Sequence, residues 1–518
     1  MPSQSINDTF HNNNQNSPTA QVTHDSAQKG AEKTAHSSTP IKRTKIVCTM
    51  GPSTEDDDVI RGLIKAGMNV ARFNFSHGSH EYHKAGMERV RRISAELGAN
   101  VALMLDTKGP EIRTGLLENG KPVMLSEGSQ VVITTQDCKG TAEKFSLDYK
   151  ELPSQVKPGY EILVDDGLIV LEVASVEGDE ITCTVISGGE LGEHKGVNVP
   201  GVDVGLPAIT EQDKKDIIFG CENGIDAVAA SFIRDGAGVQ EIRDLCTAQG
   251  CPRVSVYPKI ECQKAVENID EIVEVASGVM VARGDLGVEV PPAKVPHIQK
   301  EIIHKCNEAY KPAITATQML DSMIRHPRPT RAEATDVANA VLDGSDCVML
   351  SGETAAGKYP VEAVKMMADI CIETEHFLEE RSRYYDRGGI RNINGAIGFA
   401  SVTTADRCDA SAIVVPTAHG RTARIIANFR PKLPIYAISP SDITIRKCSF
   451  YWGVEALGST TQNSFSDTIY DALTVAKAAN KVQPGELVIV TAGDPATSPT
   501  QGDFITSTNM MMVAQIPS

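Results

Sequence analysis

One motif places several polar side chains on a single face of a short extended segment. In Arg72-Phe73-Asn74-Phe75-Ser76 successive side chains alternate if the backbone is extended, so Arg72, Asn74 and Ser76 point the same way. An arginine directed inward at the end of a strand needs an anionic partner, because burying an unpaired charge is costly. The motif therefore indicates an anion-binding site, and an ordinary amphipathic edge strand is the alternative.

Two further motifs set a carboxylate two residues after a cation. Lys259 precedes Glu261, and in Arg283-Gly284-Asp285 the glycine lets a ligand approach the backbone closely. Glu261 and Asp285 together suit Mg2+ (or Mn2+), since magnesium is usually bound by a couple of carboxylates plus oxygens of substrate and water. The lysine and the arginine of the first motif would spread the charge of a moving phosphoryl group. Structural ion pairs on the rim of a fold are the alternative.

A second group of candidate ligands consists of hard oxygen donors with a single formal charge. Its members are Asn74, Ser76, Asp106 and Thr107. A set of this kind suits a monovalent cation better than a divalent one. We therefore expect this group to bind a monovalent cation.

Residues 352–359 nearly match a phosphate-binding loop. The stretch has the Gly-x4-Gly-Lys spacing, but Tyr359 stands where such a loop needs a hydroxyl group to hold the metal. Pro360 is then expected to begin a helix. We interpret the stretch as a structural connection between a strand and that helix.

Three histidines, His77, His80 and His83, have the spacing of a metal cluster. Ser79 is a typical helix cap, which places the histidines near the start of a helix instead. We expect no transition-metal site here, and His77 remains a candidate contact for a nucleotide.

The candidate residues follow short apolar runs that alternate with segments of helical periodicity, such as the one containing Val59, Leu63 and Ile64. Eight such units predict a (β/α)8 TIM barrel, whose active sites lie at the carboxyl ends of the strands. The predicted strands are Lys45–Thr49, Asn69–Phe75, Val101–Asp106, Ala227–Phe232, Val254–Ile260, Val279–Ala282, Ala313–Thr317 and Cys347–Leu350.

The alternation of predicted strands and helices is interrupted in two places. After the third strand the sequence alternates in β fashion and contains turn signals such as Asp165-Asp166-Gly167, which predicts a small inserted β-barrel domain that overhangs the barrel as a lid. After Arg387-Gly388-Gly389 new strands are predicted at 412–416, 435–439 and 487–491, as in an open α/β domain. The predicted divisions are a disordered tail at 1–40, the catalytic barrel at 41–115 and 204–387, the lid at 116–203, and a C-terminal α/β regulatory domain at 388–518.

Composition narrows the classes of function. The net charge of −17 counts against a nucleic-acid partner, and no apolar run approaches the roughly 18 residues of a membrane span. The twelve cysteines include no C-x-x-C pair, so we expect free thiols in a reducing compartment, with Cys246 and Cys251 as the nearest approach to a pair. The expected location is the cytoplasm.

Longer motifs enclose the candidate residues, at 69–78 (NVARFNFSHG), 106–113 (DTKGPEIR), 281–289 (VARGDLGVE), 316–320 (ATQML) and 326–333 (HPRPTRAE). As a set they resemble those of the pyruvate kinase family, and the resemblance runs from about residue 44 to the C-terminus. It implies a phosphotransferase that moves the phosphoryl group of phosphoenolpyruvate to ADP, giving pyruvate and ATP, and that works as a homotetramer with Mg2+ (or Mn2+) and K+.

The resemblance also implies roles for individual residues. Lys259, Arg72 and Thr317 are implied to be catalytic, with Thr317 orienting water that protonates the enolate. Glu111 stands where potassium-dependent members keep a glutamate. The remaining roles are phosphoenolpyruvate binding by Arg72, Lys259, Gly284, Asp285 and Thr317, nucleotide binding by Asn74, His77, Arg113 and Lys195, divalent-metal binding by Glu261 and Asp285, and potassium binding by Asn74, Ser76, Asp106 and Thr107.

A loop in the C-terminal domain resembles the family's effector phosphate site. It consists of Thr417, His419, Gly420, Arg421 and Thr422, and it precedes a helix whose backbone N–H groups could hold an anion. His419 and the loop at 493–508 depart from the family pattern, which counts against a sugar bisphosphate. A sugar monophosphate, a nucleotide monophosphate and no effector remain open.

Two other functions stay open from the sequence alone. An aldolase or lyase acting on the enolate of pyruvate would share the metal carboxylates, but it explains neither Arg113 nor Lys195. An inactive homologue that senses metabolites would not need to keep Arg72, Lys259 and Thr317 together.

Overall fold

The structure, a computed structural model, describes residues 42–202, 205–381, 390, 392–459, 464–493 and 508–518. The predicted tail at 1–40, the Arg-Gly-Gly linker and most of the loop at 493–508 lie outside these residues. None of the helices in the described ranges is both long and apolar enough to cross a membrane.

The first part of the chain alternates strands and helices. Polar caps delimit the helices: the Asp56 carboxylate accepts the N–H of Asp58, and the Ser79 hydroxyl accepts that of Tyr82. Ser79 thus caps a helix beginning at His80, as the sequence predicts. The elements are β1 (Lys45–Met50), α1 (Asp57–Ala66), β2 (Met68–Asn74), α2 (His80–Glu96) and β3 (Ala102–Asp106).

A β-rich segment follows β3. Its elements are β4 (Ile112–Arg113), β5 (Val123–Leu125), β6 (Gln130–Thr134), β7 (Lys144–Ser146), α3 (Leu152–Gln155), β8 (Glu161–Val164), β9 (Ile169–Glu177), β10 (Glu180–Ser187), β11 (Gly189–Leu191) and β12 (Gly196–Asn198). Seven of the strands form one sheet in the order β4-β12-β8-β9-β10-β6-β7, and β11 pairs with β5. A bridge between Thr114 and Leu147 links the two ends of the larger sheet. The sheet begins at Ile112, four residues before the position from which the sequence analysis counts the lid.

The chain then resumes the alternation of strands and helices. Its elements are α4 (Glu211–Glu222), β13 (Ala227–Ala230), α5 (Gly236–Ala248), β14 (Ser255–Ile260), α6 (Gln263–Glu267), α7 (Ile269–Val275), β15 (Val279–Ala282), α8 (Arg283–Glu289), α9 (Val295–Glu308), β16 (Ala313–Ala316), α10 (Arg331–Asp343), β17 (Cys347–Leu350), α11 (Gly352–Ala355) and α12 (Pro360–Arg381). Pro360 begins α12, as the sequence predicts.

Eight parallel strands close into one barrel, in the order β1-β17-β16-β15-β14-β13-β3-β2, which confirms the predicted TIM barrel. Both faces of each strand are buried. Along β1, Val47 faces the barrel interior while Ile46 and Cys48 pack against the surrounding helices. This two-sided burial explains why the strands are continuous apolar runs rather than alternating ones.

Three barrel strands end earlier than predicted. β2 stops at Asn74 rather than Phe75, β13 at Ala230 rather than Phe232, and β16 at Ala316 rather than Thr317. Phe232 has φ 53° and Thr317 has φ 70°, a left-handed conformation that an extended strand cannot contain. The chain thus turns sharply at the carboxyl ends of β13 and β16, where candidate residues lie.

The C-terminal part forms an open sheet, as predicted. Its elements are α13 (Ile393–Arg407), β18 (Ala412–Pro416), α14 (Arg421–Asn428), β19 (Ile435–Ser439), α15 (Asp442–Lys447), β20 (Val454–Gly458), α16 (Phe465–Ala478), β21 (Leu487–Ala492) and β22 (Met510–Gln515). The strand order is β20-β19-β18-β21-β22, with β22 antiparallel to β21. The sequence analysis missed β20 and β22.

The C-terminal sheet closes the bottom of the barrel. Tyr257, inside the barrel, stacks on Phe450 with ring centroids 4.9 Å apart. The apolar interior of the barrel is therefore continuous with the core of the C-terminal part. Asp226 reinforces the junction, since Arg91 and Arg446 contact its carboxylate at 2.6 and 2.8 Å.

Candidate active site

A network of two cations and two carboxylates lies at the carboxyl ends of β2, β3 and β14. Arg72 Nε lies 2.5 Å from Asp106 Oδ2, and Lys259 Nζ lies 3.3 Å from Asp106 Oδ1. Lys259 Nζ also lies 2.7 Å from Glu261 Oε1. The strands that the sequence predicted separately thus bring these four side chains into one buried cluster.

Burial and charge oppose each other at Lys259. Burial alone would lower its pKa, but the adjacent carboxylates of Asp106 and Glu261 outweigh burial and hold the pKa above its ordinary value. Burial likewise disfavours ionisation of Asp106, yet Arg72 and Lys259 keep the pKa of that carboxyl below its usual range. The site therefore holds two permanent positive charges with little water around them.

Glu261 is the least satisfied member of the cluster. Burial raises its pKa to about 7, helped by the charge of Asp285 and opposed by Lys259. Its Oε2 accepts the N–H of Phe232 at 2.6 Å, whereas its buried Oε1 contacts Lys259 without hydrogen-bonding geometry. A buried carboxylate oxygen with free lone pairs is the kind of donor that a hard cation takes.

Asp285 lies in the first turn of α8, where it influences the pKa of Glu261. Within the described ranges, no group of three or more His, Cys, Asp or Glu side chains is arranged to hold a metal ion. A cation held by Glu261 and Asp285 would therefore complete its coordination with substrate and water, in keeping with magnesium chemistry.

Thr317 occupies a strained turn at the end of β16. Its φ of 70° is rare for a β-branched residue, and Gln318 follows with φ 52°. The Thr317 hydroxyl accepts the N–H of Gly284 at 2.7 Å and donates to the carbonyl of Ala316. Gly284, Asp285 and Thr317 line a cleft of about 560 Å³, and Asp166 of the β-rich segment lines it too.

The oxygen-rich group next to the cation cluster is organised by hydrogen bonds. Asn74 Oδ1 accepts the N–H of Ser76 at 3.2 Å, and the N–H of Phe75 donates to the carbonyl of Asp106. Thr107 Oγ1 accepts the N–H of Ser231 at 3.0 Å. The loops after β2, β3 and β13 are thereby held side by side.

Two of the predicted nucleotide contacts lie on neighbouring strands of the inserted sheet. Arg113 on β4 is held by Glu111 and donates to the carbonyl of His194 at 2.7 Å. Lys195, immediately before β12, lies 2.9 Å from Asp165. His77 is exposed, and its carbonyl accepts from the ring of His83 at 2.7 Å. The structure thus places one cationic pair on the inserted sheet and the histidine on the barrel rim.

The predicted effector loop lies far along the chain, between β18 and α14. Thr417 Oγ1 accepts the N–H of Gly420 at 3.0 Å, and Gly420 has φ 79°, which favours glycine. Thr422 Oγ1 lies 2.6 Å from Thr508 Oγ1. Burial, with Arg253 and Lys447 nearby, lowers the pKa of His419, and burial with Arg424 lowers that of Arg421.

The stretch that resembles a phosphate-binding loop is packed rather than open. Glu353 is buried and its carboxylate accepts the N–H groups of Leu320 and Ser351. A Cβ on Gly357 would lie 2.4 Å from the Glu353 carbonyl oxygen, so that glycine serves close packing.

The sequence analysis missed Ser231, which joins the members of the cluster. Its hydroxyl lies 2.8 Å from Lys259 Nζ, 3.4 Å from Asp106 Oδ1 and 2.6 Å from the Thr107 carbonyl. The sequence did contain one signal for it. Ser231 directly follows an apolar run, which is the position at which polar residues of the other strands were chosen as candidates.

Comparisons with known proteins agree with this geometry. The family model "Pyruvate kinase, barrel domain" matches residues 41–364, and "Pyruvate kinase, alpha/beta domain" matches residues 395–514. A pyruvate kinase of Geobacillus stearothermophilus is 50% identical over 476 residues, and one of Staphylococcus aureus (strain MRSA252) is 47% identical over 477, each covering 91% of this chain and 80% of the relative. The crystal structure of a pyruvate kinase from Cryptosporidium parvum matches with a TM-score of 0.83 and 38% identity, covering 92% of this chain and 96% of that one.

Proposed function

Since this chain belongs to the pyruvate kinase family, it transfers the phosphoryl group of phosphoenolpyruvate to ADP, and we propose that Arg72, Lys259 and Thr317 carry that transfer. The observation that supports these roles best is the convergence of Arg72 and Lys259 on one buried carboxylate, Asp106. Asp106 holds both side chains in the site, so their positive charges are already in position when a trianionic substrate binds.

In the proposed first step, Lys259 and Arg72 spread the charge on the oxygens of the phosphoryl group as it moves from phosphoenolpyruvate to ADP. Lys259 stays an ammonium throughout, because its carboxylate neighbours hold its pKa high. Such electrostatic positioning supplies most of the catalysis in phosphoryl transfer. Gly284 permits the substrate to approach the backbone beside Asp285.

Enzymes of this family need a divalent metal ion and potassium. Glu261 and Asp285 would hold the divalent ion. The buried Glu261 Oε1, whose only contact among the described residues is the ion pair with Lys259, supports that assignment. When bound, the ion would act as a Lewis acid that polarises substrate oxygens. Asn74, Ser76, Asp106 and Thr107 would hold the monovalent ion, in agreement with their hard oxygen donors and single formal charge.

The second step is protonation of the enolate carbon after the phosphoryl group has left. Thr317 is too weak an acid to be the only proton source, so we assign it the orientation of a water chain. Its hydroxyl accepts from the Gly284 N–H and donates to the Ala316 carbonyl, which fixes its position in a residue that lines the cleft, and one lone pair stays available to a water molecule.

The inserted sheet would serve as the lid, with Arg113 and Lys195 on the phosphates of ADP, and with Asn74 and His77 on the nucleotide from the barrel side. We propose the division of the chain into barrel, lid and C-terminal regulatory domain given above. Assembly into a homotetramer, and an effector phosphate on Thr417, His419, Gly420, Arg421 and Thr422, complete the proposal.

Replacing Lys259 by Met tests the assignment. The variant removes the charge but keeps most of the side-chain volume, so we expect turnover to fall by roughly three orders of magnitude or more, with an unchanged circular dichroism spectrum. Pyruvate formation in a coupled assay measures the rate. Lys305→Met is the matched control, because Lys305 pairs with Asp270 on the outer surface of the barrel. Near-normal turnover in Lys259→Met would contradict the role.

A further inference from the structure

A side-chain hydrogen bond joins the lid to helix α8 of the barrel. Asn198 Nδ2 donates to Glu289 Oε1 at 2.8 Å. Asn198 is the last residue of β12 in the lid, and Glu289 is the last residue of α8 in the barrel. The bond therefore ties the end of a lid strand to the helix whose first turn contains Asp285.

A second part of the lid lies near the same helix. A Cβ added to Gly167 would lie 3.8 Å from Val288 Cγ1, so the lid turn 165–167 comes close to α8 one residue before Glu289. The three residues of this turn have φ values of 55°, 55° and 80°, which fixes its shape. Two separate parts of the lid thus lie near helix α8, and one of them is joined to it by a hydrogen bond.

Hydrogen bonds connect each side of this contact to the proposed site. In the lid, β12 pairs with β4, where Gly196 lies opposite Arg113, and with β8. In the barrel, the start of α8 is held by the bond from the Gly284 N–H to the Thr317 hydroxyl. Asn198 therefore belongs to the same paired sheet as Arg113, and Glu289 belongs to the same helix as Asp285.

Several charged side chains surround this contact. Asp166 of the lid and Asp285 and Glu289 of the barrel line the same cleft of about 280 Å³, together with the cations Arg234 and Lys264. Asn198 is a neutral donor, so it binds Glu289 without adding a further negative charge to the cleft. Within the described residues, the Glu289 carboxylate receives this one hydrogen bond, and burying it without one would be costly.

We propose that Asn198 and Glu289 are positioning residues that form a latch, which holds the lid in register with α8 so that Arg113 and Lys195 face Asp285 across the cleft. The latch acts on the reaction through the lid and touches no substrate itself. It rests on the proposed function, since the lid cations are assigned there to the phosphates of ADP.

The pair allows a test by exchange of donor and acceptor. Asn198→Asp sets two carboxylates against each other, and the double variant Asn198→Asp/Glu289→Gln restores one donor and one acceptor with the wild-type net charge. We expect Asn198→Asp to lower kcat/KM for ADP at least tenfold, while calorimetric binding of phosphoenolpyruvate stays within about threefold. The double variant should recover to within about threefold of wild type.

Hydrogen–deuterium exchange supplies a readout that does not depend on turnover. Peptides covering residues 162–169 and 283–290 should exchange faster in Asn198→Asp and at the wild-type rate in the double variant. Gln136→Glu is the matched control. Gln136 donates to Asp179 within the lid at 2.8 Å, and the substitution also replaces an amide that donates to a carboxylate by an acid. If Asn198→Asp fails to fold, Asn198→Ala removes the donor without added charge and takes its place.

Several results would overturn the latch. Wild-type exchange and kinetics in Asn198→Asp, no recovery in the double variant, an equal loss in Gln136→Glu, or an equal loss of phosphoenolpyruvate binding would each do so. The wild-type enzyme is assayed in parallel, so that failure of the latch is separated from failure of the phosphoryl transfer itself.

Discussion

At the scale of single residues, the site is a buried network of charges in which one group pairs with two others, rather than a set of separate ion pairs. Asp106 is shared by Arg72 and Lys259, and Lys259 is shared by Asp106 and Glu261. Each charge has a partner, yet the cluster as a whole keeps room for anionic oxygens and for a cation. Ser231 joins this arrangement as a neutral hydrogen-bonding group.

Replacing Ser231 by Ala should lower kcat by roughly tenfold to a hundredfold, because a hydrogen bond to a charged group is worth about 1.5–3 kcal/mol. Lys259 would lose the contact that holds its ammonium between the carboxylates. Steady-state rates measure the loss. Ser277→Ala is the control, since the Ser277 hydroxyl accepts the N–H of Val256 at the opposite end of β14. Equal rates in both variants would show that Ser231 does not position Lys259.

Most of the cluster could be predicted from the sequence, but Ser231 could not. The charged members of the site follow apolar runs, and a buried charge must have a partner or a function; these members are Arg72, Lys259, Glu261 and Asp285. A serine is uncharged, so its presence after an apolar run needs no such explanation. Its importance comes from contacts with residues 28 and 125 positions away, Lys259 and Asp106, and only the folded barrel supplies those.

At the scale of elements, the barrel strands were predictable because both of their faces are buried, so they read as apolar runs. Their carboxyl ends were not, since Phe232 and Thr317 adopt left-handed backbone that apolar periodicity does not reveal. β20 and β22 were missed for another reason. β20 exposes Glu455 and Gly458, and β22 is an antiparallel strand at the edge of its sheet whose side chains are partly buried or exposed.

Arg283 joins two of these elements at the active site. Its guanidinium donates to the carbonyls of Ala316 and Thr317 at 3.2 and 2.7 Å and to Asp336 of α10 at 2.7 Å. One planar fork therefore fixes the start of α8 relative to the end of β16. A lysine has a single ammonium group in place of the planar guanidinium, so it can form a good hydrogen bond with only one of these acceptors.

Arg283→Lys should accordingly reduce kcat/KM for phosphoenolpyruvate by roughly tenfold to a hundredfold, since two or more hydrogen bonds of a charged group are lost. Initial-rate measurements at varied phosphoenolpyruvate give the ratio. Arg325→Lys is a matched control on the surface, where Arg325 contacts Asp321 at 3.5 Å. An unchanged ratio in Arg283→Lys would mean that Thr317 keeps its conformation without the fork.

At the scale of the whole molecule, the junction between the barrel and the C-terminal part collects positive charge. Lys447 at the end of α15 is half-buried, and this partial burial together with Arg424, Arg243 and Arg253 lowers its pKa to about 8. In the unfolded chain the same side chain titrates near 10.5. The protonated form of Lys447 is therefore less favourable in the folded than in the unfolded chain, and at neutral pH it lowers the free energy of unfolding.

The sign of the resulting pH dependence follows from the lowered pKa. Between about pH 8 and 10.5 the unfolded chain binds more protons at Lys447, so its contribution to stability rises with pH and is lost as pH falls through 8. Lys447→Met should then raise the melting temperature at pH 7.5, by the equivalent of about 1–3 kcal/mol, and the gain should shrink at pH 9.5. Scanning calorimetry at both values measures it.

Lys481→Met is the control for this comparison, because Lys481 forms an exposed ion pair with Glu455 in the same domain. It should show no comparable change in melting temperature between the two pH values. A gain for Lys447→Met that persists undiminished at pH 9.5 would assign the effect to apolar packing rather than to charge.

The closure of the barrel by β1 and β17 has a consequence for biosynthesis. The bond from the Thr49 hydroxyl to the Leu350 carbonyl spans 301 residues, and the inserted sheet is translated in between. At about 5–20 residues per second, β1 leaves the ribosome roughly 15–60 s before its partner strand β17 exists. During that interval the edge of β1 that will pair with β17 is open to the wrong neighbours, so we expect folding during synthesis to need protection of that edge, for example by a chaperone.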